Sequence, residues 1–308
     1  YYYGIHTNGD LTISGSGTLN ISLQGSEYGI YTLGGDINIE GGELTISSWR
    51  FGIYTDNTFN ISQGVVSINV QSSKATTGIR CVDANISGGT LYINIRSTAD
   101  FHTNNYGIEA INSINITDGT VTVNAETTDS VAMTIGCIIT WDSNINISGG
   151  NVSVTATSAS TGTGSYFVAG LYSHRVVNIT GGEVTVTCIG ASDKVKSMHK
   201  FVRFTNGITK ASFDSTGASA IDIEQDKEFT SLQYKYIHYE CDEDRILINQ
   251  AKEAVVGGTL TISYSDNRTA AVQSYVNSLL SGGYTGLTAV VSHVTDNTYK
   301  VTFTKGEL

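Results

Sequence analysis

The chain has 308 residues and a formal net charge of −11; it is 40% hydrophobic, only 15% charged, and contains 34 glycines and no proline. This balance excludes a disordered polyelectrolyte, and an acidic chain without clustered Lys and Arg makes nucleic acid a poor partner. No apolar run reaches the roughly 20 residues of a membrane helix, so no membrane insertion is expected.

The chain opens at Tyr1 without Met and without the charged-then-apolar order of a signal peptide, so it reads as a processed protein or as an excerpt of a longer one. From Tyr3 onward a unit recurs: a short Gly-Ile strand, an apolar-polar-apolar strand, a Gly-Gly turn and a further alternating strand. The clearest copy is Tyr28-Gly29-Ile30-Tyr31-Thr32, then Ile37-Asn38-Ile39, Gly41-Gly42 and Leu44-Thr45-Ile46. Other copies start at Tyr3-Gly4-Ile5, Phe51-Gly52-Ile53, Thr77-Gly78-Ile79, Tyr106-Gly107-Ile108, Ile135-Gly136-Cys137 and Ala169-Gly170-Leu171. Each strand alternates with period two, so no helical pattern competes. One copy cannot bury its own apolar face, whereas stacked copies pair strand on strand about 4.8 Å apart around a continuous interior. The fold class is therefore all-β, a parallel β-helix, expected to be right-handed as parallel crossovers are. The absence of proline leaves every backbone N–H free to join the ladders.

Aligning the copies predicts inward columns of Ile13, Ile39, Ile61, Ile86, Ile116, Ile147 and Ile179, and of Leu19, Leu44, Val66, Leu91, Val121, Val152 and Val184. Each such side chain contributes on the order of 1.5–3 kcal/mol when fully buried. Tyr28, Phe51 and Tyr106 are assigned to the same inward phase, as are Cys81, Cys137 and Cys188, which read as buried free thiols without a neighbouring His or Lys to activate them. Beyond Thr187 the repeat degenerates through Phe201–Phe204 and Ala220–Ile223, as a capped solenoid requires. The predicted organisation is a β-helix over residues 1–224, cap strands over 225–250, and a small α+β unit over 251–308 with a βαββ order, its helix at Ala270–Leu280 and its last strands at Leu287–Val294 and Tyr299–Phe303.

Three outward columns carry the candidate chemistry. Asn38, Asn60, Asn85, Asn115, Asn146 and Asn178 precede the inward Ile of each copy and are suited to bond one another along the axis. Thr45, Ser67, Tyr92, Thr122, Ser153 and Thr185, with Asn69, Asn94, Asn124, Thr155 and Thr187 two residues on, make a flat hydroxyl-and-amide face. The third column is chemically mixed: His6, Tyr31, Tyr54, Arg80, Glu109, Ile138 and Tyr172. Tyr beside Arg suits stacking on sugar rings and pairing with sugar carboxylates, so His6, Tyr31, Tyr54, Arg80, Glu109 and Tyr172 are the predicted carbohydrate-binding residues. Glycosidic hydrolysis needs two carboxylates about 5–10 Å apart, and the sequence offers no such cluster. Asp56, Asp83, Asp118 and Asp142 fall near turns, where Asp commonly serves the backbone. The stretch Glu240–Asp244 lacks the spaced ligands of a calcium loop and reads as a solvated turn. The Asn-Ile-Ser/Thr sequons arise from the repeat itself.

At the level of Ile-Asn-Ile-Ser-Gly-Gly-Asn-Val-Ser-Val, residues 145–154, the chain resembles the extracellular β-helix carbohydrate-binding domains of clostridial surface proteins, over roughly residues 1–190. The resemblance implies a right-handed β-helix, a bacterial cell-surface location, and binding of cellulose or acidic pectin-like chains with calcium. Where that family places an Asp before the Gly-Ile strand as a calcium ligand, this chain has Tyr28, Phe51, Thr77 and Tyr106, so no cofactor is expected and calcium is the one ion the resemblance leaves open. Three functions follow: a non-catalytic module for a polysaccharide or surface glycan, a structural or adhesive stalk whose open first coil invites end-to-end stacking, and a polysaccharide lyase or hydrolase.

Overall fold

The computed structural model describes residues 2–25, 27–98, 104–128, 134–159, 167–190, 195–225, 227–230, 232–242, 259–264, 287–295 and 298–305. The chain divides into two compact units, Tyr1–Cys241 and Asp242–Leu308.

The first unit is a parallel β-solenoid of about six turns. Each turn runs through strand segments on a first, second and third sheet, typified by Tyr28–Leu33 on the first and by the two halves of Ile37–Ser48 on the others. Segments of successive turns pair in parallel and almost residue for residue, as in Ile37↔Phe59, Asn38↔Asn60 and Ile39↔Ile61. The predicted Ile columns occupy the interior, with Ile39, Ile61, Ile86, Ile116, Ile147 and Ile179 all at 1% exposure or less. Leu44, Val66, Leu91, Val121, Val152 and Val184 line the facing wall. Leu19 is the exception at 36% exposed, because it lies in the terminal turn with a neighbour on one side alone. The Phe201–Phe204 segment still pairs in parallel with Val176–Ile179, and the first strand to run the opposite way is Ile221–Ile223, antiparallel to Gly207–Ser212. Glu228–Thr230 runs antiparallel to Phe201–Arg203, and Tyr236–Cys241 runs antiparallel to both Glu183–Thr187 and Gly207–Ser212.

Two glycine columns explain why the backbone can turn so tightly. Between the second and third sheets, Gly42, Gly64, Gly89, Gly119, Gly150 and Gly182 adopt φ of 71–91°, a region an L side chain resists. Within the first sheet, a Cβ on Gly29 or Gly52 would meet the Ile46 or Ile68 side chain across the interior. These glycines face inward, and the bend there lets both the residue before and the residue two after point outward. Tyr28 and Phe51 therefore lie outside, packed on Tyr31 and Tyr54, rather than in the core. Tyr106 is 4% exposed, yet it belongs to a separate external cluster with Ile139, Ala169 and Tyr172.

A second correction concerns the turn that begins near Thr134. Tyr106 pairs with Gly136 and Ile108 with Ile138, so the repeat is Gly136-Cys137-Ile138 and Cys137 takes the inward glycine slot. Ile138 is thus core, and Ile139 occupies the mixed column.

The predicted asparagine column forms a continuous ladder. Each Nδ2 donates to the Oδ1 of the preceding turn: Asn60 to Asn38 at 2.8 Å, Asn85 to Asn60 and Asn115 to Asn85 at 3.0 Å, Asn146 to Asn115 and Asn178 to Asn146 at 2.9 Å. In the second unit, Thr298–Lys305 pairs antiparallel with Thr259–Tyr264 on one side and Leu287–Thr295 on the other. The predicted helix at 270–280 lies outside the described residues.

Removing a mid-ladder amide should be costly beyond its own side chain. Asn85→Ala deletes one donated and one accepted bond, and denaturant unfolding should show a loss of about 1–3 kcal/mol. Cys81, Cys137 and Cys188 are buried free thiols. Burial pushes all of them up, Cys188 to about 12. Ellman's reagent at pH 8 should leave these cysteines unmodified until denaturant is added.

Candidate functional site

The predicted residues His6, Tyr31, Tyr54, Arg80, Glu109 and Tyr172 fall in one register column on the outside of the first sheet, with Ile139 between Glu109 and Tyr172. Beside it runs the column of Tyr3, Tyr28, Phe51, Thr77 and Tyr106. Because neighbouring turns are so close, aromatic rings in these columns stack on each other. Tyr31 and Tyr54 have centroids 5.1 Å apart at 26°, Tyr28 and Phe51 4.9 Å at 6°, and Tyr3 and Tyr31 5.0 Å at 27°. His6 stacks on Tyr3 at 4.8 Å. Cations close the array: the Arg50 guanidinium lies 5.2 Å from the Phe51 ring and Arg80 lies 6.0 Å from the Tyr54 ring. Such mutual stacking covers ring faces.

Farther along the column the groups are also paired. Arg80 Nε is 3.7 Å from Glu109 Oε2, and Trp141 Nε1 donates to Glu109 Oε1 at 3.1 Å. Trp141 packs against Tyr106 and Tyr172, and Tyr172 stacks on Phe167 at 5.1 Å. Burial raises the Glu109 carboxyl above its usual range, although Arg80 and the Trp141 N–H pull it down. Burial, assisted by the Glu109 charge, likewise raises the Tyr106 phenol. The structure therefore brings the six predicted residues onto one face, in two aromatic clusters joined by the Arg80–Glu109 pair.

A second feature takes in Asn69, Asn94 and Asn124 of the hydroxyl-and-amide face and adds a row not singled out from the sequence. A groove of about 830 Å³ opens on the outer side of the third sheet, where that sheet turns the corner toward the first. One row of its lining is Ser47, Asn69, Asn94 and Asn124, in register along the axis. The next row is Gln71, Arg96 and Glu126. Trp49 extends this row, since Ser48 pairs with Val70 and Trp49 follows where Gln71 follows in the next turn. Asn94 donates to Asn69 at 3.1 Å, Asn124 donates to Asn94 at 3.0 Å, and Arg96 Nε is 3.7 Å from Glu126 Oε2. The available signal was a Trp at the end of a strand whose counterparts are Gln, Arg and Glu.

Carboxylates near turns serve the backbone. Asp56 accepts from the Gly34 N–H at 2.6 Å, Asp83 from the Ser113 N–H at 2.9 Å and hydroxyl at 2.7 Å, and Asp118 from the Gly119 N–H at 2.7 Å. Asp142 and Glu228 share a cavity of about 500 Å³ with His174, Arg175, Val176 and Phe201. Among the described residues no group of three or more His, Cys, Asp or Glu could hold a metal; Glu243 and Asp244 of the acidic stretch lie outside them.

Residues 4–220 match the family described as carbohydrate-binding domain-containing protein. The chain belongs to this family. Its matched stretch spans the parallel turns and the strand Gly207–Ser212. No curated protein and no solved structure shows a significant match to it. Carbohydrate binding is thus the activity of this family member, and the resemblance noted from residues 145–154 agrees with it.

Glu109 offers a test of the paired column. A raised carboxyl holds its proton more tightly in the folded state, so ionisation costs stability as pH rises above the ordinary carboxylate range. Glu109→Gln keeps an acceptor for Trp141 and removes that cost. The melting temperature of the Gln variant relative to the parent should be higher at pH 7 than at pH 4, and Glu109→Ala should be destabilised at both.

Proposed function

We propose that the protein holds an extended polysaccharide along an outward face of its solenoid, at the surface of a bacterial cell, and does not cleave it. The observation that carries this reading is that the carbohydrate-binding match coincides with the turns themselves, which repeat the same outward groups along one axis. A polymer of repeating sugars and a surface of repeating hydrogen-bonding groups complement each other over several units, whereas a single small sugar would use a fraction of that surface. The non-catalytic part rests on the carboxylates. Asp56, Asp83 and Asp118 accept hydrogen bonds from turn N–H groups, and Glu109 is held by Arg80 and Trp141.

The structural-stalk reading draws on a separate observation: the half-buried Asn38–Asn178 ladder and the stacked rings tie successive turns to one another and stiffen the solenoid. Affinity electrophoresis against a panel of neutral and acidic plant, microbial and host polysaccharides separates the two. Retardation by at least one polymer, without release of reducing or unsaturated ends on prolonged incubation, is the expected result. Failure to bind any polymer leaves the stalk reading, and release of new ends assigns catalysis, with Asp142 and Glu228 the first carboxylates to replace.

A further inference from the structure

Resting on the polysaccharide reading above, we propose that the binding site is the groove beside Trp49, and that it takes a neutral, hydroxyl-rich glycan laid parallel to the solenoid axis with about one sugar unit per turn.

The groove differs from the aromatic column in having capacity left to give. Asn69, Asn94 and Asn124 are exposed, whereas the ladder from Asn38 to Asn178 on the second sheet is half-buried. A side-chain amide has two N–H donors and an oxygen with two lone pairs, and the ladder between these exposed asparagines uses one donor or one lone pair at each contact. Each therefore keeps an N–H for a sugar hydroxyl. The Gln71 side chain makes no hydrogen bond among the described residues. Successive amides recur at the rise of one turn, about 4.8 Å, close to the length of a pyranose along an extended chain, so one sugar after another meets an equivalent donor.

Trp49 supplies the apolar part. The one cation or ring it contacts among the described residues is Lys74, whose ammonium lies 5.0 Å from the ring centre. An indole lining the end of a polar groove is the surface that covers the C–H face of a sugar, and no ring is stacked against it as rings are stacked in the Tyr31–Tyr54 column. Charge selects among glycans. Arg96 and Glu126 lie side by side, both about half exposed, and cancel within the groove. A chain with net charge −11 adds long-range repulsion toward a polyanion. Uncharged polymers are therefore favoured over polyuronates.

The test measures Kd of the full chain for soluble mixed-linkage β-glucan, galactomannan and polygalacturonate, together with tryptophan emission. One neutral polymer should bind more tightly than polygalacturonate and shift the emission, and Trp49→Ala should abolish the shift. Trp49→Ala and Asn94→Ala should each weaken binding roughly tenfold or more, while Lys210→Ala, at an exposed position on Gly207–Ser212, leaves the Kd unchanged. Circular dichroism melts establish that each variant folds, and Asn94→Ala decides alone if Trp49→Ala does not. Tight binding that survives both groove substitutions overturns the site while preserving the polysaccharide reading. Preference for polygalacturonate overturns the neutral class, and binding to none of the polymers overturns both the site and the reading beneath it.

Discussion

Every turn of the solenoid must accept a near-copy of itself about 4.8 Å away. Under that constraint each outward residue type is judged by how well it tolerates its own kind. Isoleucine and valine satisfy it inside by packing, and asparagine satisfies it outside by donating to the asparagine before it. Aromatic rings satisfy it by stacking, as Tyr31 and Tyr54 do. Like charges cannot, and the low charge content follows. Several charges have an opposite neighbour in the next turn, as in Arg80 beside Glu109 and Arg96 beside Glu126, with Arg50 and Glu27 of adjacent corners repeating the device at 3.6 Å.

The same constraint sorts the surface for binding. A ladder half-buried on its sheet is a stiffening element, and an exposed one is a row of donors and acceptors at fixed intervals. The half-buried asparagine ladder and the stacked tyrosines are of the first kind; the exposed amides beside Trp49 are of the second. A solenoid in a carbohydrate-binding family needs both, because a polymer is held by many weak contacts only if their spacing does not drift.

Much of the fold was legible because period-two alternation and the Gly-Gly turn are local signals. The interior columns of Ile39 to Ile179 follow from them directly. Tyr28, Phe51 and Tyr106 were misplaced because an inward glycine bends the first-sheet strand, so alternation counted across Gly29 or Gly52 assigns the wrong side. The shift at Gly136-Cys137-Ile138 was hidden because Ile135-Gly136 imitates the Tyr-Gly pair of its neighbours, and only backbone pairing reveals that Cys137 takes the inward glycine's place. The six predicted site residues do share one face, which register alone guarantees, but that their rings cover each other depends on ring orientation, which no repeat encodes. The groove was legible in part: its Asn69, Asn94 and Asn124 row follows from the repeat, but the neighbouring Gln71, Arg96 and Glu126 vary from turn to turn and Trp49 stands at a corner outside the repeat.

The central claim is that a fixed rise per turn, read out by partly satisfied side chains, is what this surface offers a glycan. A crystal structure of the protein with a short neutral oligosaccharide tests it most directly. The sugar chain should run parallel to the axis, with successive units against Asn69, Asn94 and Asn124 and one ring over Trp49. A sugar bound across the axis, or seated on the stacked tyrosines of the first sheet, would contradict it.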